Sequence, residues 1–156
     1  MFQTYRVVKF VTSKLCKDVC SLASKFMLEI LTPERLFFSK EVDMVVVNTP
    51  DGELGVLRGH IPMVTVVSIG SARIVIDGKT YEAVLSEGFM EINRSGVIII
   101  VDTAEWPEEI DIKRAEAAKQ RALNRLHSKL SKVEYMRTRA ALSRALARIN
   151  ARKKID

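Results

Sequence analysis

The stretch VNTPDGELGVLRGHIP, residues 47–62, decides how the middle of this 156-residue chain folds. Pro50-Asp51-Gly52 predicts a tight turn, because proline presets φ, aspartate bonds to nearby backbone and glycine accepts a positive φ. Gly55 and Gly59, on either side of Val56-Leu57, predict a second tight bend. The stretch therefore predicts a β-hairpin that ends in a closely packed corner.

Three glycines so close together also raise the alternative of a phosphate-binding loop. No Lys-Ser or Lys-Thr pair follows Gly59, however, and no helical pattern begins after it, so a structural corner is the better interpretation. Arg58 and His60 lie at the tip of this corner, where loop residues commonly contact partners. They are candidate partner-docking residues.

Short apolar runs, separated by turn residues, continue on both sides of the corner. They cover residues 27–31, 36–38, 42–48, 63–69, 72–76, 84–85, 89–92 and 97–102. Asp77-Gly78 follows one of them and is the strongest hairpin indication in the chain. Alternation within residues 42–48 places Val42, Met44 and Val46 on one face. The series predicts an antiparallel β-sandwich or flattened barrel.

A helical pattern replaces the strands after residue 104. Asp111 is predicted to cap a first helix, and Ser131 with Glu134 forms a capping-box pattern for a second. Apolar positions recur at three- and four-residue steps, and they are Ala115, Ala118, Ala122, Leu126, Leu130 and Val133, then Tyr135, Thr138, Leu142, Ala145 and Ile149. These two narrow stripes predict an antiparallel helical hairpin of marginal stability.

The formal net charge of +6 is divided unevenly along the chain. Residues 1–26 carry +4, residues 27–104 carry −5 and residues 105–156 carry +7. This division predicts an N-terminal extension, a β-sandwich domain and a helical-hairpin regulatory domain with the same boundaries.

The extension has three alternative interpretations. It is the product of an upstream start codon, a targeting segment, or an arm that binds a membrane surface. Met27 stands where the organised pattern begins, which favours a working start there. Cys16 and Cys20 lack further Cys or His partners, so no metal site and a reduced, cytosolic setting are expected.

Arginines concentrate on the polar faces of the hairpin. Arg137, Arg144 and Arg148 share one face of the second helix by their seven- and four-residue spacing. Because arginine outnumbers lysine there, carboxylate or phosphate recognition is favoured over mere solubility. A nucleic acid, a nucleotide and an acidic protein surface remain alternative partners.

No catalytic constellation is found. The acids of the sandwich are scattered over turns and polar strand faces, and His60 has no histidine or cysteine near it in sequence. No apolar run approaches the length of a membrane-spanning helix. The chain is therefore not expected to be an enzyme on its own.

Several phrases in combination resemble the epsilon subunit of rotary F-type ATP synthases of the bacterial type. They are residues 28–34 (LEILTPE), residues 49–57 (TPDGELGVL) with His60 and Pro62, Gly88-Phe89, and residues 110–115 (IDIKRA). The resemblance spans residues 27 to about 150. It implies a non-catalytic central-stalk subunit that couples ion-driven rotation to ATP synthesis.

The resemblance also implies partners. The sandwich would grip the gamma subunit and rest on the ring of c subunits, with Arg58 and His60 in the docking surface. The extended tail would approach the acidic loop of the catalytic beta subunits and inhibit ATP hydrolysis. The chain would lie peripherally on the cytoplasmic face of the cell membrane, held there only through the complex.

In several bacterial relatives the folded hairpin binds ATP, and the resemblance implies such a regulatory site here, with no cofactor required. Four residues match the family phrase directly, namely Ile110, Asp111, Arg114 and Ala115. Four more match by spacing alone, namely Glu105, Arg121, Arg144 and Arg148. The alternative function is a nucleic-acid-binding module with a basic helical arm, although the acidic sandwich and its lack of an aromatic platform argue against nucleic acid.

Overall fold

A computed structural model describes residues 25–128 and 131–154 of the chain. The hypotheses on the N-terminal extension, including Cys16 and Cys20, concern residues outside the described ones. The described residues form ten strands, one 3-10 turn (Pro107–Glu109) and two helices. The strands are β1 (Phe26–Leu31), β2 (Leu36–Val42), β3 (Met44–Thr49), β4 (Gly52–Leu57), β5 (Met63–Val67), β6 (Gly70–Ile76), β7 (Lys79–Leu85), β8 (Gly88–Ile92), β9 (Gly96–Val101) and β10 (Ala104–Glu105). The helices are α1 (Ile112–Leu126) and α2 (Lys132–Lys153).

The strands form two five-stranded sheets that enclose one core, which confirms the predicted β-sandwich. Sheet A has the order β2-β1-β9-β8-β5, and sheet B has the order β10-β7-β6-β3-β4. The pairing is antiparallel throughout the described strands except between β1 and β9, which run parallel. The antiparallel prediction missed this pair, because it joins the first strand to a partner far along the chain.

Alternation along the strands supplies the core. In β1, Phe26, Leu28 and Ile30 point inward, and in β9 the alternate residues Val97 and Ile99 do the same. Each strand thus gives one apolar face to the space between the sheets, where burial stabilises the fold by roughly 25 cal/mol per Å² of apolar surface.

The turn predicted at residues 50–52 is confirmed, whereas the second bend differs from the prediction. Gly52 has φ of 130°, and the Thr49 hydroxyl donates to its carbonyl oxygen at 2.8 Å, closing the predicted turn between β3 and β4. Gly59 has φ of 83° and makes the bend that leads to β5. The second bend, predicted between Gly55 and Gly59, does not include Gly55, because Gly55 lies inside β4 and pairs with Val46 of β3.

The face predicted for residues 42–48 is also wrong. Val42 ends β2, and the chain turns at the buried Asp43 before β3 begins, so Val45 and Val47 face the core. The Asp43 carboxylate accepts a hydrogen bond of 2.6 Å from the backbone N–H of Asp77. This contact braces the predicted Asp77-Gly78 turn between β6 and β7, which is confirmed, with φ of 51° and 73° at its two residues.

The two helices form the predicted antiparallel hairpin, and small side chains line its seam. The buried residues between the helices or beneath them are Ala115, Ala122, Thr138, Ala145, Ile149 and Ala151. The Thr138 hydroxyl donates to the Glu134 carbonyl at 2.7 Å, which lets this polar residue lie in the seam. Val133 and Tyr135 were predicted on the apolar stripes but are exposed, because they lie in the first turn of α2.

The segment that joins sandwich and hairpin is fastened to sheet A. The Trp106 ring stacks on Phe37 with a centroid distance of 4.8 Å and meets Phe38 edge-on at 6.3 Å. The Glu109 carboxylate accepts hydrogen bonds from the backbone N–H of Trp106 at 3.2 Å and from the Arg35 guanidinium at 3.3 Å. These contacts hold the 3-10 turn on the sandwich, and α1 begins after it.

Gly88 is expected to tolerate no side chain. A Cβ there would overlap the Ile100 carbonyl oxygen and lie 2.8 Å from Val101 Cα, because β8 and β9 approach closely at this pair. We expect Gly88→Ala to lower the free energy of unfolding by about 1–3 kcal/mol in chemical denaturation. Gly55→Ala is the matched control, since its Cβ would meet only Val46 Cγ2 at 3.8 Å, and we expect it to change stability by less than about 0.5 kcal/mol. Equal stability of the two variants would contradict the close approach.

Candidate functional site

The start of α1 is set by an N-cap. The Asp111 carboxylate accepts a hydrogen bond of 3.1 Å from the Arg114 backbone N–H, as the sequence predicted. This cap satisfies one of the free N–H groups of the first turn. It also fixes the turn on which Arg114 and Ala115 project toward α2.

The start of α2 is set by the predicted capping box. Ser131 Oγ accepts from the Glu134 backbone N–H at 3.3 Å, and the Glu134 carboxylate accepts from Ser131 N–H at 3.0 Å. Hydrogen bonds from the hydroxyl and the backbone of Ser131 lower the pKa of Glu134. The helix that follows is long enough to carry Arg144 and Arg148 back to the sandwich.

A cavity of about 360 Å³ lies between the two helices where they meet the end of the sandwich. All eight residues that the sequence suggested for nucleotide binding line it, namely Glu105, Ile110, Asp111, Arg114, Ala115, Arg121, Arg144 and Arg148. The fold brings together β10, the start of α1 and the second half of α2 to build it. Whether the cavity binds ATP stays a prediction.

The charges of this cavity are unevenly compensated. Glu105 and Arg148 form a bidentate ion pair, with Oε2 to Nε at 2.8 Å and Oε1 to Nη2 at 2.6 Å. Arg144 Nη1 lies 3.9 Å from the Glu87 carboxylate. Among residues 25–128 and 131–154, no acidic side chain forms an ion pair with Arg114 or Arg121. The cavity therefore offers an anion two guanidinium groups whose charge is not already paired.

Sequence reasoning missed some of the cavity's walls. Four further residues line the cavity, namely Glu109, Ala118, Ala141 and Ala145. Ala118 and Ala145 had been predicted on the apolar stripes of the helices, but none of the four had been predicted as a site residue. A smaller cavity of about 230 Å³ adjoins it further along the hairpin and shares Ala118, Arg121 and Ala141 with it. Its remaining lining residues are Ala122, Arg125, Arg137 and Thr138. The spacing placed Arg137, Arg144 and Arg148 on one face of α2, and all three line the two cavities between the helices.

The candidate docking residues lie elsewhere, at one end of the sandwich. Arg58 and His60 line a cavity of about 540 Å³ together with the first residues of β1 and the turn between β8 and β9. Arg58 Nη1 donates to the Lys25 carbonyl at 3.1 Å, and His60 Nδ1 lies 2.9 Å from the Ile61 carbonyl. The fold brings these two residues together, but their docking role stays a prediction.

An apolar row crosses the outer face of sheet A. The strand registers align Val66 with Phe89, Phe89 with Ile100, Ile100 with Leu31, and Leu31 with Leu36. Of these five side chains, Phe89 is 60% exposed and Ile100 and Leu36 are each 55% exposed. Sequence reasoning missed this row, because single exposed apolar residues are ordinary until the register places them side by side.

In the described part of the chain, no group of three or more His, Cys, Asp or Glu side chains could hold a metal ion. Within the same residues, neither helix combines the length and hydropathy needed to cross a membrane.

Comparison with known proteins identifies both parts of the fold. The model for the ATP synthase delta/epsilon chain beta-sandwich domain matches residues 25–107, and the model for its long alpha-helix domain matches residues 108–153. A β-sandwich followed by a helical hairpin thus defines the class, the delta/epsilon-type subunits of ATP synthase. More particularly, the chain belongs to the ATP synthase epsilon chain family. It is a non-catalytic subunit of that rotary complex of ATP synthesis and ion transport.

Individual relatives support this assignment. The epsilon chain of Ruminiclostridium cellulolyticum is 56% identical over 126 residues, which are 81% of this chain and 94% of that protein. The epsilon chain of Caldanaerobacter subterraneus subsp. tengcongensis is 50% identical over 125 residues, 80% of this chain and 91% of that protein. In the Euglena gracilis mitochondrial ATP synthase structure, titled OSCP/F1/c-ring, one chain is 25% identical with a TM-score of 0.70, and the match covers 79% of this chain and 78% of that one. A chain of the Tetrahymena thermophila mitochondrial central stalk and c-ring structure shares the fold, with 12% identity, a TM-score of 0.60, and coverage of 83% of this chain and 98% of that one.

Proposed function

We propose that this chain couples rotation to ATP synthesis through its sandwich and regulates ATP hydrolysis through its hairpin. In this proposal the chain is part of the central stalk and lies on the cytoplasmic face of the membrane, held there by its partners. The observation that carries the regulatory half is the cavity between the helices, where four arginines converge.

The chemistry of the cavity suits a nucleoside triphosphate. Its volume is within the range of small-molecule sites, and Ile110 and Ala115 supply an apolar wall on which a base can lie. Arg114 and Arg121 supply donors for phosphate oxygens. The ligand would offset the repulsion among the guanidinium groups and, by binding only the folded hairpin, would favour that state. ATP acts here as a regulatory ligand and not as a substrate.

The released hairpin would act as the inhibitor. Residues 110–156, which lie beyond the fastened 3-10 turn, carry 14 basic and four acidic residues, a net charge of +10, and Arg144 and Arg148 lose their carboxylate partners when the hairpin leaves the sandwich. An acidic loop on a catalytic beta subunit is a suitable new partner, since guanidinium groups form bidentate hydrogen bonds with carboxylates. Closed and open hairpins would thereby correspond to permitted and inhibited hydrolysis.

The sandwich has two surfaces for the coupling half of the proposal. The apolar row on sheet A, centred on Phe89, suits a broad protein partner such as gamma. The end that carries Arg58 and His60 suits the polar loops of a c ring. The Euglena structural relative comes from an assembly of OSCP, F1 and the c ring, which supports a place for this chain beside the c ring.

Nucleic-acid binding receives less support than nucleotide binding. A nucleic-acid interface needs basic side chains spread over an open face that follows the phosphate backbone. Arg114, Arg121, Arg144 and Arg148 instead converge on one cavity between helices. The net charge of −5 over residues 27–104 would also oppose a second contact to the backbone.

Nucleotide binding is tested by calorimetry on the full chain. We expect a saturable heat with millimolar ATP, and we expect Arg121→Gln to weaken binding by roughly tenfold to a hundredfold, because a charged hydrogen bond to phosphate is lost. Arg139→Gln is the matched control, since Arg139 is exposed on α2 and does not line the cavity. The absence of a saturable heat in the unaltered chain would remove the proposal of ATP binding.

Inhibition is tested in the assembled complex by ending the chain after Glu109. The 3-10 turn remains fastened to the sandwich by Trp106 and Arg35, so assembly should persist. We expect ATP hydrolysis by the complex to rise, because the inhibitory helices are gone. An unchanged hydrolysis rate in a fully assembled complex would show that the hairpin does not inhibit.

The gamma-facing surface is tested by Phe89→Ser. We expect co-purification with gamma to fall sharply, because a large aromatic side chain at the centre of an interface contributes much of its binding energy. Tyr81→Ser is the control, since Tyr81 is an exposed aromatic residue on sheet B. Equal recovery of gamma with both variants would move the interface away from the apolar row.

A further inference from the structure

The apolar contact between α2 and the sandwich is small. Its buried members are Val84 of β7, Ile110 and Ala151, with Ala147 packed at its edge. Two of these four side chains are single methyl groups, so the apolar surface removed from water is modest. Apolar burial alone therefore holds the hairpin weakly.

Ion pairs supply the rest of the attachment. Between described residues, three pairs join α2 and its C-cap to β7, to β10 and to the turn between β7 and β8. Lys154 Nζ lies 2.6 Å from the Glu82 carboxylate, Arg148 Nη2 lies 2.6 Å from Glu105, and Arg144 Nη1 lies 3.9 Å from Glu87. Every acid comes from the sandwich and every base comes from the hairpin, so the attraction acts entirely across this boundary.

Two further observations describe the contacts between the hairpin and the sandwich. Burial would raise the pKa of Glu82, but hydrogen bonds from Lys154 and Ser71, together with the positive charges of Lys154 and Arg73, outweigh it and lower the pKa, so the carboxylate is held charged. Arg152 Nη1 also lies 3.3 Å from the Pro107 carbonyl oxygen, on the 3-10 turn. The side chains at 144, 148 and 152 recur at four-residue spacing, so one face of α2 carries the contacts.

The pivot of the hairpin lies just beyond the 3-10 turn. Trp106 and Glu109 are held on sheet A by Phe37 and Arg35, whereas α1 begins at Ile112. Loss of the three ion pairs would therefore leave the helices held only by the small apolar contact and the Arg152 hydrogen bonds, while the turn itself stays in place.

We propose that Glu82, Glu87 and Glu105 of the sandwich form an ion-pair latch with Lys154, Arg144 and Arg148, and that ionic strength sets how often the hairpin opens. The side chains in these pairs are between 22% and 58% exposed, so dissolved salt reaches and screens them. The small apolar contact is insensitive to such screening. The latch rests on the proposed opening of the hairpin, but it acts without nucleotide and does not depend on ATP binding by the cavity.

Single-molecule fluorescence energy transfer on the full chain without nucleotide measures the latch. Dyes are placed at K79C and S143C, two exposed positions on the sandwich and on α2, in a C16S/C20S background. Raising NaCl from about 0.02 M to about 0.5 M shortens the Debye length from roughly 20 Å to roughly 4 Å. We expect the ratio of open to closed molecules to rise about tenfold, since three partly exposed pairs are screened together.

Charge variants test whether the attraction between these side chains, and not their packing, holds the hairpin closed. E82Q/E87Q/E105Q should open the hairpin at low salt and abolish most of the salt dependence. The control E91Q, which removes an exposed acid of β8 on sheet A, should behave as the unaltered chain. The exchanged pair E82K/K154E should close better than either single change, because attraction is restored with the opposite polarity. An opening ratio that ignores salt, or an exchanged pair that gains nothing over its single changes, would overturn the latch.

Discussion

Two helices that face each other with arginines on both sides of the groove must be held together against charge repulsion. Arg114 and Arg121 on α1 and Arg144 and Arg148 on α2 line one cavity, and their seam consists mostly of alanines. Such a seam permits close approach but buries little surface. The hairpin therefore depends on negative charge from outside itself, and the sandwich provides it through Glu105 and Glu87.

Glu105 connects the sandwich to the hairpin, because it is part of a strand and also contacts α2. It lies in β10, where it pairs with Val84 of β7, and it also lines the cavity and holds the Arg148 guanidinium. An anionic ligand in the cavity and the carboxylates of the sandwich would thus stabilise the same closed arrangement. The proposed regulatory role requires this kind of balance, since contacts that were large and apolar would keep the hairpin closed permanently.

The sandwich contributes rigidity. Its core is continuous between two sheets, and the close β8–β9 approach at Gly88 and the turns at Gly52 and Asp77-Gly78 fix the registers. Those registers place Phe89 and Ile100 side by side on sheet A. They also carry Arg58 and His60 to one end. The hairpin is joined to this platform after a turn fastened by Trp106, so the proposed opening of the hairpin would leave the platform unchanged.

The amino-acid sequence by itself determined the elements whose cause is local. The Asp77-Gly78 turn, the Asp111 cap and the Ser131–Glu134 capping box all act within a few residues, and each was predicted correctly. Tertiary structure decided the parallel β1–β9 pair, the extended backbone at Gly55 and the inward face of β3, which depend on a distant partner strand or on the buried Asp43. The eight cavity residues were suggested by a resemblance and by spacing, but their convergence required the fold. Spacing can place arginines on one face of a helix, whereas only packing decides what that face meets and which of the arginines find a carboxylate.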